Sequence, residues 1–160
     1  MKILMVCLGN ICRSPLAEGI LKDKIKKAGL NWEVDSAGTN GYHVGQQPHR
    51  FSQKVAKKWG IDISSQQCRN FTKSDFEKFD KIYAMSNDIL DEIKLLSTDK
   101  YDSSKVDLLL NECYPGENRD VPDPWYGGED GYYPVYDMIE AACEAIVQHA
   151  LTGKEKIKVN

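Results

Sequence analysis

The chain lacks the features that would make its cysteines structural. Cys7, Cys12, Cys68, Cys113 and Cys143 form no CxxC pair. An odd count without a secretory leader does not make a disulfide framework, so reduced thiols are expected. Only three histidines are present, His43, His49 and His149, and none stands at metal-ligand spacing from another or from a cysteine. A zinc site is therefore not expected, and no cofactor is called for. Long hydrophobic runs are missing too. The apolar stretch Ile3 to Val6 is interrupted by Gly9, Asn10 and Arg13, well short of a secretory core or a membrane span. The expectation is a cytoplasmic protein with no membrane partner. Charge of one sign is not in excess: 21 basic and 24 acidic residues give a net charge of −3. The basic residues are scattered along surface-type segments such as Lys22 to Lys27, which argues against a nucleic-acid partner. No linker or repeat divides the 160 residues. A single domain over residues 1–152, large enough to bury its own core, is expected, with a lysine-rich tail at 153–160 that reads as frayed or solvated.

What is present is an alternation. Strand-like runs lie at Lys2–Val6, Trp32–Ser36, Lys81–Ala84 and Val106–Leu110. Helical patterns at Pro15–Ala28, Pro48–Trp59, Ser86–Leu95 and Pro134–Ala150 separate and follow them, and Asp75 to Phe79 adds a short helical turn. This order predicts an α/β fold with an open parallel sheet flanked by helices on both faces. Gly29, Gly60 and Gly153 stand where left-handed helix caps belong. Two long segments without regular periodicity, Ala37–Gln47 and Asn111–Tyr133, each follow a predicted strand, which marks them as functional or disordered loops.

The sequence Cys7-Leu8-Gly9-Asn10-Ile11-Cys12-Arg13-Ser14 directly follows the first strand. Five residues between a cysteine and an arginine let the backbone curl so that its N–H groups, from Leu8 through Arg13, converge on one point. A tetrahedral oxyanion such as phosphate fits there, gripped by the bidentate fork of Arg13. Pro15 sits in the first turn of the following helix, where its missing N–H costs nothing, and the helix N-terminus adds partial positive charge to the same spot. A cysteine among such donors has its thiolate favoured and becomes a nucleophile. The competing fate, a small apolar cysteine at a strand end, does not explain why Arg13, Ser14, Pro15 and the Gly9-Asn10 pair, tolerant of left-handed backbone, all coincide. In open sheets of this kind ligands bind beyond the carboxyl ends of the strands, which is where Cys7 falls. Late in the chain, Val121-Pro122-Asp123-Pro124-Trp125-Tyr126-Gly127-Gly128 fixes one carboxylate between two prolines beside two aromatics. Taken alone that segment is also ordinary turn chemistry.

Together, CLGNICRSP, the DSAGT at Asp35–Thr39 and DPWYGG resemble the low-molecular-weight protein tyrosine phosphatases. The resemblance spans essentially residues 1–150 and implies a four-stranded parallel sheet with a phosphate-binding loop after the first strand. It also implies a two-step phosphoryl transfer from phosphotyrosine proteins or peptides, with Cys7 as nucleophile, Arg13 as phosphate clamp and Asp123 as general acid and then base. Ser14 would hydrogen-bond the Cys7 sulfur, and Asn10 would hold the loop, buttressed by Ser36. Tyr42, Trp125 and Tyr126 would wall a pocket deep enough to favour phosphotyrosine over phosphoserine. Cys12 would trap an oxidised Cys7 as a disulfide, or else simply pack beneath the loop. A monomer or weak oligomer is expected.

Three positions depart from the family pattern: Ser86 stands where many members carry an aspartate, Gln66 where some place a histidine in the network that supports the loop asparagine, and Trp125 where a tyrosine is more usual. Three rivals stay open at this point. An arsenate reductase needs two further thiols close together, and Ser86–Lys94 contains none. A phosphoarginine phosphatase would carry a small polar residue where Ile11 stands. A phosphopeptide-binding module would need only the loop and Arg13, and would gain nothing from Cys7 and Asp123.

Overall fold

The computed structural model describes residues 1–153; apart from Gly153, the expected tail lies outside the described residues. Among these residues four strands, β1 (Lys2–Cys7), β2 (Glu33–Gly38), β3 (Lys81–Ala84) and β4 (Val106–Leu108), form one parallel sheet in the order β2-β1-β3-β4. The helices are α1 (Arg13–Ala28), α2 (Arg50–Lys58), the short α3 (Asp75–Lys78), α4 (Asn87–Ser97) and α5 (Tyr132–Thr152).

The apolar run of β1 is explained by burial on both faces. Ile3, Met5 and Cys7 join one core with Leu16, Ala17, Ile20 and Leu21 of α1 and Ile139, Cys143 and Val147 of α5. Leu4 and Val6 point to the other face, into a core with Phe76 of α3 and Ile89 and Ile93 of α4. Placing β1 centrally, with helices on either side, sets the end of that strand in the middle of the molecule's carboxyl edge, where the parallel topology reverses direction. No helix among the described residues is long and apolar enough to cross a membrane.

Several element boundaries move by one or a few residues relative to the sequence reading, three of them with a local cause. β4 stops at Leu108, and Leu109–Glu112 forms a 3-10 turn that packs Leu109 and Leu110 into the α5-side core. An apolar run looks alike in a strand and in a buried turn. Helix α5 starts at Tyr132, so that Pro134 sits in its first turn, where an N–H has no helical partner to lose. Helix α2 starts after His49, whose Nδ1 accepts the Phe51 N–H at 3.1 Å and caps it. Gly29, Gly60 and Gly153 take left-handed φ values of 71°, 78° and 67° at the helix ends.

Candidate active site

Cys7 is the last residue of β1 and Arg13 the first of α1, so residues 8–12 make the whole connection between a strand end and a helix start. The loop folds back over β2 at Gly38, the register partner of Cys7. A Cβ at Gly38 would lie 2.9 Å from the Asn10 nitrogen, the Gly9 carbon and the Leu8 oxygen, all backbone atoms. Only glycine permits this approach. Within the loop, Asn10 alone takes a left-handed conformation, with φ 57°. The sequence reading of Gly9 is corrected: its backbone is not left-handed, and what it supplies is space, since a Cβ there would stand 3.0 Å from Cδ2 of His43.

Beneath the loop runs a buried chain of hydrogen bonds. Glu18 accepts from Ser36 Oγ at 2.7 Å, and Ser36 Oγ accepts from Asn10 Nδ2 at 3.0 Å. Asn10 Nδ2 also donates to Ser14 Oγ at 2.8 Å, and Ser14 Oγ lies 2.9 Å from Cys7 Sγ. Because Ser14 accepts from Asn10, its own proton is free to point at the sulfur. The chain is thereby polarised from a carboxylate at one end toward Cys7 at the other. Asn10 Oδ1 is satisfied from the far side by the Arg69 N–H at 3.0 Å. Asn10, Ser14 and Ser36 are thus brought together beneath the loop. Gln66 does not reach Asn10: its Nε2 donates to the Pro15 carbonyl at 3.1 Å, and the supporting role falls to Ser14, Ser36 and Arg69.

Arg13 is buried and held from behind. Its Nη1 donates to the Val121 carbonyl at 2.9 Å and to Ser86 Oγ at 3.2 Å, and Ser86 in turn donates to Asp88. The carboxylate missing at position 86 is thus supplied through one hydroxyl. The Val121 N–H donates to the Met85 carbonyl at 2.8 Å, which pins the proline-rich loop to the end of β3 two residues before Asp123. Asp123 caps the 3-10 turn Pro124–Tyr126 by accepting the Trp125 N–H at 3.0 Å through Oδ1. Its Oδ2 is 3.8 Å from Arg13 Nη2. The prolines therefore hold a carboxylate whose second oxygen faces the guanidinium.

These groups open on a cavity of about 370 Å³ lined by Cys7, Leu8, Gly9, Ile11, Cys12, Arg13 and Asp123, with Asn40, Tyr42, His43, Trp125 and Tyr126 around it. Tyr42 and Tyr126 are 84% and 87% exposed, so they form a rim rather than a packed wall. Trp125 is braced by His43 and His49, each with its ring centroid 5.5 Å from the indole. His49 also stacks on Tyr132 at 5.4 Å, and Tyr132 Oη lies 3.4 Å from Cys12 Sγ. Burial pushes the Cys12 thiol up to about 12, and pushes Tyr132 upward as well. Burial, followed by the charges of Arg50 and His43, lowers His49. Sequence reasoning missed Glu18, His43, His49 and Tyr132. Of these only Glu18 carried a local signal, its i,i+4 pairing with Lys22 at 2.7 Å, and that spacing does not reveal that Glu18 is buried.

The chain that carries this site is similar over nearly its whole length to known proteins. The family model "Low molecular weight phosphotyrosine protein phosphatase" matches residues 2–157. A human protein of that name is 36% identical over 151 residues, covering 92% of this chain and 94% of its own. A solved protein tyrosine phosphatase of Entamoeba histolytica, with Hepes in its active site, superposes with a TM-score of 0.87 at 41% identity, covering 97% of this chain and 99% of that one. A Drosophila arginine phosphatase superposes with a TM-score of 0.86 at 36% identity, over 94% and 98%. With the match running through both the cysteine loop and the aspartate loop, the chain belongs to the low-molecular-weight phosphotyrosine protein phosphatase family.

Proposed function

We propose that this protein hydrolyses phosphotyrosine in proteins or peptides through a cysteinyl-phosphate intermediate. The observation that carries the reading is the convergence of Cys7, Arg13 and Asp123 on one cavity, with Asp123 Oδ2 3.8 Å from the Arg13 fork. In the first step the Cys7 sulfur attacks phosphorus, the bond from phosphorus to the tyrosine oxygen breaks, and Asp123 delivers its proton to that oxygen. This matters because a phenol of pKa about 10 leaves poorly as an anion at neutral pH. In the second step water attacks phosphorus, gives its proton to Asp123, and the phosphorus–sulfur bond breaks to restore Cys7. Arg13 and the loop N–H groups of Leu8 through Arg13 stabilise the equatorial oxygens, so the positive field comes from the protein itself. Ile11 in the cavity lining suits a phenyl ring better than a guanidinium, which favours phosphotyrosine over phosphoarginine. Trp125, with Tyr42 and Tyr126 at the rim, offers aromatic faces on which the phenyl ring of an aryl phosphate can stack.

Cys12 is proposed as the thiol that captures oxidised Cys7. A nucleophilic thiol suits a reducing compartment, so a cytoplasmic location belongs to the same proposal, as does a monomeric or weakly associating state. The experiment is phosphate release from a phosphotyrosine peptide without added metal, with wild type and Cys7→Ser side by side and a phosphoarginine peptide in parallel. Turnover of phosphotyrosine by the wild type alone supports the reading. Retained phosphate binding with no turnover by either protein replaces it with a binding module.

A further inference from the structure

Residues 68–71 run as a strap between the loop that carries Tyr42 and His43 and the end of β2. On one side the Cys68 N–H donates to the Gln46 carbonyl and the Gly45 N–H to the Cys68 carbonyl, both at 2.9 Å. These bonds tie the strap to the loop that carries Tyr42 and His43. On the other side the Gly38 N–H donates to the Arg69 carbonyl at 2.9 Å and the Phe71 N–H to the Gly38 carbonyl at 2.7 Å, which ties it to the end of β2. Its centre meets Asn10 at both oxygens: the Arg69 N–H donates to Oδ1, and Cys68 Sγ donates to the main-chain carbonyl at 2.8 Å.

Cys68 is buried and in no disulfide. Burial first, and the neighbouring Cys7 second, push its thiol up to about 11, so it carries its proton at neutral pH and acts as a donor. Its acceptor is a demanding one, because a non-glycine residue at φ 57° stays there only when its surroundings hold it. The Asn10 carbonyl and the Ile11 N–H belong to one planar trans peptide and point in opposite directions. A bond that holds the carbonyl down on the strap side therefore turns the Ile11 N–H away from the strap, and Ile11 itself lines the cavity.

We propose that Cys68 is a positioning residue for phosphate recognition: its S–H fixes the Asn10–Ile11 peptide so that the Ile11 N–H is presented to the bound phosphoryl group. Through the same residue the loop of Tyr42 and His43 is coupled to the phosphate loop. The proposal rests on the phosphatase reading for the identity of the anion, but its test does not need turnover.

Alanine and serine leave nearly the same space at position 68 and differ by a donor. Inorganic phosphate binding is measured by calorimetry for wild type, Cys68→Ala and Cys68→Ser, with thermal unfolding alongside. Loss of one positioning hydrogen bond predicts about fivefold weaker phosphate binding for Cys68→Ala, and binding within about twofold of wild type for Cys68→Ser. Cys68→Ala, which leaves the Asn10 carbonyl without this donor, should melt below Cys68→Ser. Equal affinities for Ala and Ser, whether both normal or both weak, overturn the proposal. The wild type offers a second reading if Cys68→Ala does not fold. The thiol stretch lost in Cys68→Ser should lie below the frequency of a free thiol, and a free-thiol frequency refutes the bond. Failure of the wild type to turn over phosphotyrosine, with this pattern of phosphate affinities intact, would sink the phosphatase reading and leave the role of Cys68 standing.

Discussion

Removing the Ser14 hydroxyl cuts the polarised chain at its last link. Ser14 is fully buried, its Oγ accepts from Asn10 at 2.8 Å, and it stands 2.9 Å from the Cys7 sulfur. A side chain this enclosed is not replaced by bulk water when it is truncated. During breakdown of the cysteinyl phosphate the sulfur regains negative charge as its bond to phosphorus lengthens, and a donor aimed at it lowers that barrier. During attack the sulfur gives charge up, so the same donor does not help. A hydrogen bond to a charged partner contributes about 1.5–3 kcal/mol, which corresponds to breakdown slowed by about 10- to 150-fold in Ser14→Ala. The folding cost is smaller, about 1 kcal/mol, because Asn10 Nδ2 keeps its bond to Ser36. Stopped-flow hydrolysis of p-nitrophenyl phosphate separates the two steps. Ser14→Ala should release about one equivalent of nitrophenol per enzyme in a fast burst, then turn over slowly. Equal slowing of burst and steady state, or an unchanged steady rate, refutes the argument.

Asp123→Ala should slow aryl phosphate cleavage by about 10²- to 10⁴-fold for the most basic leaving groups and progressively less for acidic phenols; slowing that does not depend on the leaving group removes Asp123 from the acid role. Gly38→Ala puts a methyl 2.9 Å from three backbone atoms of the loop. It should cost about 1–3 kcal/mol in urea unfolding and weaken phosphate binding together with stability, so normal phosphate affinity in a folded variant would contradict the packing argument. His49 is lowered from 6.5, and its Nδ1 caps α2 only while unprotonated. The unfolded chain therefore takes up the proton first, and stability falls as pH drops below 6.5 toward the depressed folded value. In His49→Asn, which keeps a capping oxygen, this fall should be shallower than in wild type, and identical pH profiles of the unfolding midpoint would exclude the effect. Peroxide inactivation should be reversed by dithiothreitol in wild type and substantially less in Cys12→Ser; equal recovery would assign Cys12 to packing against Tyr132.

The sheet and the groups proposed to react were legible because they are written in short, contiguous signals. β1 reads as an apolar run because both its faces are covered, and the cysteine loop follows it without interruption. Cys7, Arg13 and Ser14 are fixed relative to one another by a seven-residue spacing, so their meeting in space needed no tertiary knowledge. Asp123 lies far along the chain, but its prolines announced a constrained carboxylate, and the contact of Val121 with Met85 brings it to the sheet edge. The strand and helix ends were less legible, since Leu109 and Leu110 offer the same apolar pattern to a strand and to a turn.

What could not be read is the layer behind these residues, and the reason is physical. Glu18 looks like any helical glutamate with a lysine four residues on; only its burial against Ser36 makes it the anchor of the chain that ends at Cys7. Ser86 looked like the loss of a carboxylate, yet a hydroxyl can accept from Arg13 and donate to Asp88 at once, which preserves the charge relation through one more atom. Gln66 looked like the substitute for a missing support, whereas the support reaches Asn10 through the N–H of Arg69, a backbone group that any residue there would supply. Cys68 was unremarkable as one of five scattered thiols. Its side chain meets Asn10 because the strap it belongs to is laced on one side to Gly38 and on the other to Gly45 and Gln46. A sequence specifies which groups react through their types and spacing. How firmly those groups are held depends on hydrogen-bond partners distant along the chain, and at this site the partners act through backbone atoms and hydroxyls as much as through charged side chains.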